Sequence, residues 1–152
     1  MESRGTSRDI LGRMGRYEFF DHMADVGIRV QADSPEDLFL TAALGVMAWI
    51  GSPPGGQVNE ERIEVNAADS EELLVRWLQE ILCGFHLRRA YLNGAREIKV
   101  DLDQGKVEAL IVSSLWDEKR QGDYQEVKAV TYHQLRIEHK ESSWLASIIL
   151  DI

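Results

Sequence analysis

The chain of 152 residues is 44% hydrophobic and 28% charged, the balance of one ordinary globular domain. Its net charge of −9 repels phosphate chains, which argues against autonomous nucleic-acid binding and favours a cation or a basic partner face, although acidity that only keeps a protein soluble reads the same way. A single cysteine, Cys83, excludes an internal disulfide and a cysteine-based zinc cluster, and no run of about 18 apolar residues is present to span a membrane.

Residues 1–16 carry Arg4, Arg8, Arg13 and Arg16 without a long apolar core, which does not fit a signal peptide. We read them as a flexible leader, ahead of a single domain over 17–152 that carries a charge of −11. Tyr17-Glu18-Phe19-Phe20 opens the first strand, and Asp21-His22-Met23-Ala24-Asp25 breaks it. Gly27 to Ala32 alternates apolar and polar residues and predicts a half-buried strand. Ser34-Pro35-Glu36-Asp37 is a helix start: a capping hydroxyl, a first-turn proline and two acids at the positive end of the dipole. That helix runs to about Ile50, where Gly51 to Gly56 form a loop.

Arg62 to Ala67 predicts a further strand. Asp69 or Ser70 caps a second helix, whose Leu73, Leu74, Trp77, Leu78, Ile81, Leu82 and Phe85 form one apolar stripe. Cys83 is expected as a buried thiol in this apolar run, and His86 as a structural group suited to the helix end. Asn93-Gly94 predicts a turn, and Gln104-Gly105 a hairpin between two strands. Asp117 to Asp123 reads as a mobile polar segment. Val127 to Tyr132, Gln134 to His139 and Trp144 to Asp151 read as short strands, Trp144 among them as an aromatic packed into the core. The order predicts an α+β domain, two helices on one mixed, mostly antiparallel sheet.

Glycine-rich phosphate loops, serine elbows and metalloprotease helices do not occur, so an independent enzyme is not expected. Three features carry chemistry. Asp21 to Gly27 holds two carboxylates and an imidazole in a tight segment, which ordinary turn chemistry also explains. Ile148-Ile149-Leu150-Asp151-Ile152 is an apolar strand that ends on an aspartate and a free carboxylate. Neighbouring anions repel, and a hard cation with a taste for oxygen removes that cost; two hydrated, exposed anions are the plain alternative. Lys128 stands in the apolar segment Glu126 to His133, where it could pair with these acids or face solvent.

Taken together, Asp21-His22-Met23-Ala24-Asp25-Val26-Gly27, Asp33-Ser34-Pro35-Glu36-Asp37-Leu38-Phe39, the Trp77-Leu78 helix, Glu126 to His133 and Leu150-Asp151-Ile152 resemble the archease family across residues 17–152. Met23 departs from the family's usual threonine and loses a hydroxyl, but no carboxylate. The resemblance implies a non-catalytic accessory protein of the RtcB-type RNA ligase of tRNA splicing, promoting its guanylylation and multiple turnover. It implies a divalent metal, calcium by preference with magnesium or manganese as alternatives, held by Asp25, Asp151 and the terminal carboxylate of Ile152. Lys128 matches a position that matters for activity, and Asp21 and His22 belong to the same motif as candidate partner contacts. The alternative is a chaperone-like binding module for a tRNA-modification enzyme such as a methyltransferase; a small metal-dependent hydrolase is the third class. A cytoplasmic location suits a chain without disulfides.

Overall fold

The computed structural model describes residues 4–8 and 14–152, with side chains from residue 15 onward. In chain order the elements are β1 (Arg4–Arg8), β2 (Met14–His22), β3 (Asp25–Ala32), α1 (Pro35–Ile50), β4 (Val58–Asn66), α2 (Ser70–Arg88), β5 (Ala90–Asp101), β6 (Lys106–Leu115), α3 (Glu118–Gln121), β7 (Ala129–Lys140) and β8 (Ser143–Asp151). The α+β class is as expected, but the strands form two sheets, in the orders β1-β2-β3-β8-β7 and β4-β6-β5, and every pairing is antiparallel. Alternation within a strand says which face it buries, not which sheet it joins, so periodicity alone could not divide them.

The two sheets enclose the long helices. α1 packs against β2, β3 and β8 on one side and β5 on the other, while α2 packs against β7 and against all three strands of the smaller sheet. Being covered from two sides explains why α1 is apolar nearly all round, with Leu38 to Ala43 and Gly45 to Met47 buried, whereas α2 keeps a wet stripe. Cys83 lies on that stripe with Arg76 and Gln79 and is exposed, which corrects its expected burial: helical spacing rather than the apolar run sets its direction. Both helix starts are capped as anticipated. Ser34 Oγ accepts from the amide of Asp37 at 3.1 Å, and Asp69 Oδ1 accepts from that of Glu72 at 2.8 Å. The side chain of Glu36 also reaches sideways and accepts from the amide of Val100 in β5 at 2.9 Å. Trp77, fully buried in α2, donates its indole N–H to the carbonyl of Phe39 in α1 at 2.8 Å, pinning the helices to each other.

Several local expectations change. β1 and the start of β2 occupy part of the stretch read as a leader, with Gly5 paired to Tyr17; residues 1–3 and 9–13 lie outside the described residues. Asn93-Gly94 is not a turn but a register shift inside β5, where Asn93 donates its side-chain amide to Ser114 Oγ at 3.0 Å. The polar stretch from Asp117 contains α3 and is tied down: Asp117 caps it, and Gln121 donates to the carbonyl of Pro54. Residues 102–105 close the β5–β6 hairpin, with Gly105 at φ 67 and its carbonyl accepting from Ala67. Trp144 is partly buried against the core, as expected, and stacks on His139 with centroids 4.0 Å apart.

The Trp77 bond yields a test. Trp77→Phe removes a buried donor, strands the Phe39 carbonyl and leaves a small void, so it should cost about 2–3 kcal/mol. Urea unfolding followed by circular dichroism checks this, with an unchanged denaturant slope expected.

Candidate functional site

β2 and β3 are joined by the two-residue turn Met23-Ala24, which pairs His22 with Asp25. Met23 takes a positive φ of 52° and is 97% exposed at the tip. A positive φ in a two-residue turn matches the twist of the flanking strands, and an unbranched methionine tolerates it better than a β-branched residue would.

β3 then runs beside β8. Their ladder reaches Val26 opposite Leu150, so the next step sets Asp25 against Asp151. On the far side of β8, Asp151 pairs with Ala129 of β7. Cross-strand partners share a face. One end of the large sheet therefore presents a row of His22, Asp25, Asp151 and Ala129 across four strands, on the face turned away from the helices. Both aspartates are half-buried, and Ile152 follows at 37% exposure.

The remaining expected residues are placed as follows. Lys128 sits just before β7 and donates its backbone N–H to the carbonyl of Asp151 at 2.7 Å, while its side chain is exposed. Its ammonium pairs with neither aspartate, so of the two readings for Lys128 the solvent-facing one holds among the described residues. Asp21 pairs with Val26, one step from the row, and alternation puts it on the opposite face from His22 and Asp25. His86 behaves structurally, its Nε2 lying 2.9 Å from the carbonyl of Val127. His133 was not singled out by the sequence, yet its ring meets that of His22 edge to face at 5.4 Å. The only sequence signal was its place at the end of the Glu126 to His133 stretch.

The row is braced from one side. Phe20 of β2 lays its ring over Gly27 of β3, where an added Cβ would come within 2.1 Å of the ring, and the guanidinium of Arg29 covers Phe20 at 4.1 Å. Two facing carboxylates suit a hard divalent cation, whose remaining positions water or a further carboxylate can fill. Among the described residues no group of three or more His, Cys, Asp or Glu side chains gathers to hold a metal, so a thiolate or poly-imidazole centre of the zinc type does not fit here. The donors that fit are Asp25 and Asp151, joined by oxygen ligands from outside the side-chain set. Next to them, Nδ1 of His22 is buried and has no hydrogen-bond partner among the described residues.

The fold and the row define a small α+β domain whose distinguishing chemistry is a carboxylate pair on two adjacent interior strands of its larger sheet. Comparison with known proteins identifies the class further. The archease protein family model matches residues 17–152. Protein archease of Saccharolobus islandicus (strain Y.G.57.14) is 37% identical over 144 residues, covering 91% of this chain and all of the relative. That of Methanopyrus kandleri is 32% identical, covering 90% and 99%. Among solved structures, the solution structure of Methanobacterium thermoautotrophicum protein 1598 aligns with a TM-score of 0.70 at 25% identity, covering 88% of this chain and 96% of that one. A crystal structure from Thermotoga maritima, described as an archease and possible chaperone, shares the fold with a TM-score of 0.62 at 16% identity, covering 88% and 94%. The chain belongs to the archease family. Among the described residues no helix is long and apolar enough to cross a membrane.

Gly27→Ala should drive the Phe20 ring off β3 and break its stacking under Arg29, at a cost of about 1–3 kcal/mol. Thermal unfolding should give a midpoint several degrees lower, whereas the same exchange at the open loop position Gly56, where no contact blocks a Cβ, should cost only the strain of its positive φ.

Proposed function

We propose that this protein is a non-catalytic activator of an RtcB-type RNA ligase in tRNA splicing, acting through a divalent cation held at the end of the large sheet. The observation that carries this reading is the register of β3 on β8, whose next step past Val26 and Leu150 sets Asp25 against Asp151, with no side-chain cation paired to either among the described residues. Asp25, Asp151 and the terminal carboxylate of Ile152 would hold calcium, with magnesium or manganese as substitutes. When bound, the ion supplies charge neutralisation near the transferring nucleotide.

The protein's own groups do the rest. Asp25 and Asp151 fix the ion's place because each lies on a strand flanked on both sides by others. The backbone bond from Lys128 to Asp151 holds the end of β8 against the start of β7, and leaves the ammonium free to meet a phosphate or an acidic group of the ligase. An acidic body, at −9 overall, favours docking on the basic surface that an RNA-binding enzyme presents. Promotion of ligase guanylylation and repeated turnover is then a matter of electrostatics at the shared interface, with no bond made or broken by this protein.

A second reading, a chaperone-like module for a tRNA-modification enzyme such as a methyltransferase, draws support from the exposed apolar side chains around the row: Met23 at 97%, Tyr132 at 56% and Ile152 at 37%. Such a module needs this rim and no ion.

A ligation assay with limiting ligase tests the first reading. Asp25→Ala and Asp151→Ala should each lose most of the stimulation, at least tenfold, while keeping the wild-type circular dichroism spectrum. Normal stimulation by both variants rules out the carboxylate mechanism. Calorimetric titration with calcium and manganese separates the readings, since only the activator takes up one ion per chain. Extending the chain after Ile152 should damage stimulation more than extending it before Tyr17.

A further inference from the structure

β7 is not one continuous partner of β8. Ala129 to Thr131 pair regularly, with Thr131 opposite Ile149, and pairing resumes with Arg136 opposite Ser147. A regular ladder would advance two residues on each strand; β7 advances five, so residues 132–135 bulge out without regular partners on β8. The departure is shaped locally. The amide of His133 donates to Thr131 Oγ1 at 3.2 Å, and Gln134 turns the chain with φ 53°. Leu135 packs back against the core.

This excursion goes somewhere specific. Within the sheet, β8 and β3 separate β7 from β2, a spacing of about 14 Å at some 4.8 Å per strand. Yet the rings of His133 on β7 and His22 on β2 lie 5.4 Å apart. The bulge, with the reach of the two imidazole side chains, therefore bridges the intervening strands. It crosses on the face away from the helices, because the other side is filled by the buried core residues Val130, Ile148 and Leu150. Ile149 lies on the outer face beside its partner Gly27 and is 1% exposed, next to the Phe20 ring that lies over Gly27. His22 belongs to the row that contains Asp25 and Asp151, so the excursion ends above the same face and the same sheet end as the carboxylate pair.

We propose that Tyr132 to Gln134 bulge over the carboxylate pair as a strap, and that His133, by resting on His22, is a positioning residue that sets how tightly the pair holds a divalent cation. The inference rests on the cation reading above. Three physical effects point the same way. A closed strap excludes water from one side of the aspartates and strengthens their attraction for a cation. It limits the motion of the turn that carries Asp25, since His22 is the residue paired with Asp25. Beside the pair, Nδ1 of His22 is buried with no hydrogen-bond partner among the described residues, a cost that a water in a cation's shell would relieve. By linkage, whatever closing the strap does for the cation, the cation must do for the strap.

The test uses the full chain and calcium chloride. Calorimetric titration should show His133→Ala binding calcium about tenfold more weakly or worse, the scale typical of groups that orient metal ligands. His133→Phe keeps an aromatic edge against His22 and should stay within about twofold of wild type, by the same reasoning on ring contacts. Hydrogen exchange supplies a readout that a merely structural role would not move: calcium should slow the amides of residues 132–135 in wild type and leave them unchanged in His133→Ala. His133 is exposed, so the substitution leaves the core untouched. Wild-type uptake of calcium with His133→Ala equally tight overturns this inference alone. Wild-type protein that takes up no calcium overturns both it and the cation reading.

Discussion

The ladder between β3 and β8 is the constraint on which this structure turns. The two strands lie more than a hundred residues apart in the chain, yet seven consecutive pairs, from Val26 with Leu150 to Ala32 with Trp144, join them in the middle of the larger sheet. The inner halves of these strands, Ile28, Val30, Ile148 and Leu150, are buried almost completely and form the floor on which the helices rest. Because strand alternation is strict, burying that face forces the other residues outward and leaves no freedom in where Asp25 and Asp151 fall. A slip of one residue would move the aspartates to the core side and expose the isoleucines. Hydrophobic burial thus fixes the site without touching it.

The second sheet explains why the helices look as they do. α1, clamped between two sheets, has little surface left for polar residues, and its few polar groups are used at its start: Ser34 as a cap and Glu36 as a tie to the β5 edge. α2 borders solvent and divides cleanly into a core stripe and a charged stripe. The free edge of the smaller sheet, β4, is nearly all exposed and carries Glu60, Glu61, Arg62 and Glu64, paired across to Arg96, Arg88, Glu97 and Lys106. Charges on an edge strand discourage further strand addition. Each of these pairs is solvent-exposed and adds little stability by itself.

Much of this was legible in the sequence where the signal is local. Helix starts at Ser34 and Asp69 and the apolar stripe of α2 follow from residues within one or two turns of each other, and they match closely. The motif residues Asp25 and Asp151 could be named as a pair from resemblance, and the register then gives a physical reason for their meeting. What stayed hidden depends on distant partners. Sheet membership, the bulge at Asn93-Gly94 and the order given to the Asp117 segment by Pro54 are set by contacts dozens of residues away. Cys83 was misread because an apolar run on paper is not a face on a helix. His133 was missed for the same reason as the second sheet: nothing near it in the chain announces that it lies against His22.

The central position of β8 also has a kinetic side. Until β8 slots between β3 and β7, each of those strands has a bare edge, and closing the gap requires a loop of more than a hundred residues to find its ends. Such long-range closure is slow compared with forming the β5–β6 hairpin or either helix. A half-built state, helices formed and sheet open, should therefore be the one most exposed to strand exchange between copies. In this fold, the same late step that completes the core also creates the carboxylate pair, so a chain that displays the site is by construction one that has finished folding.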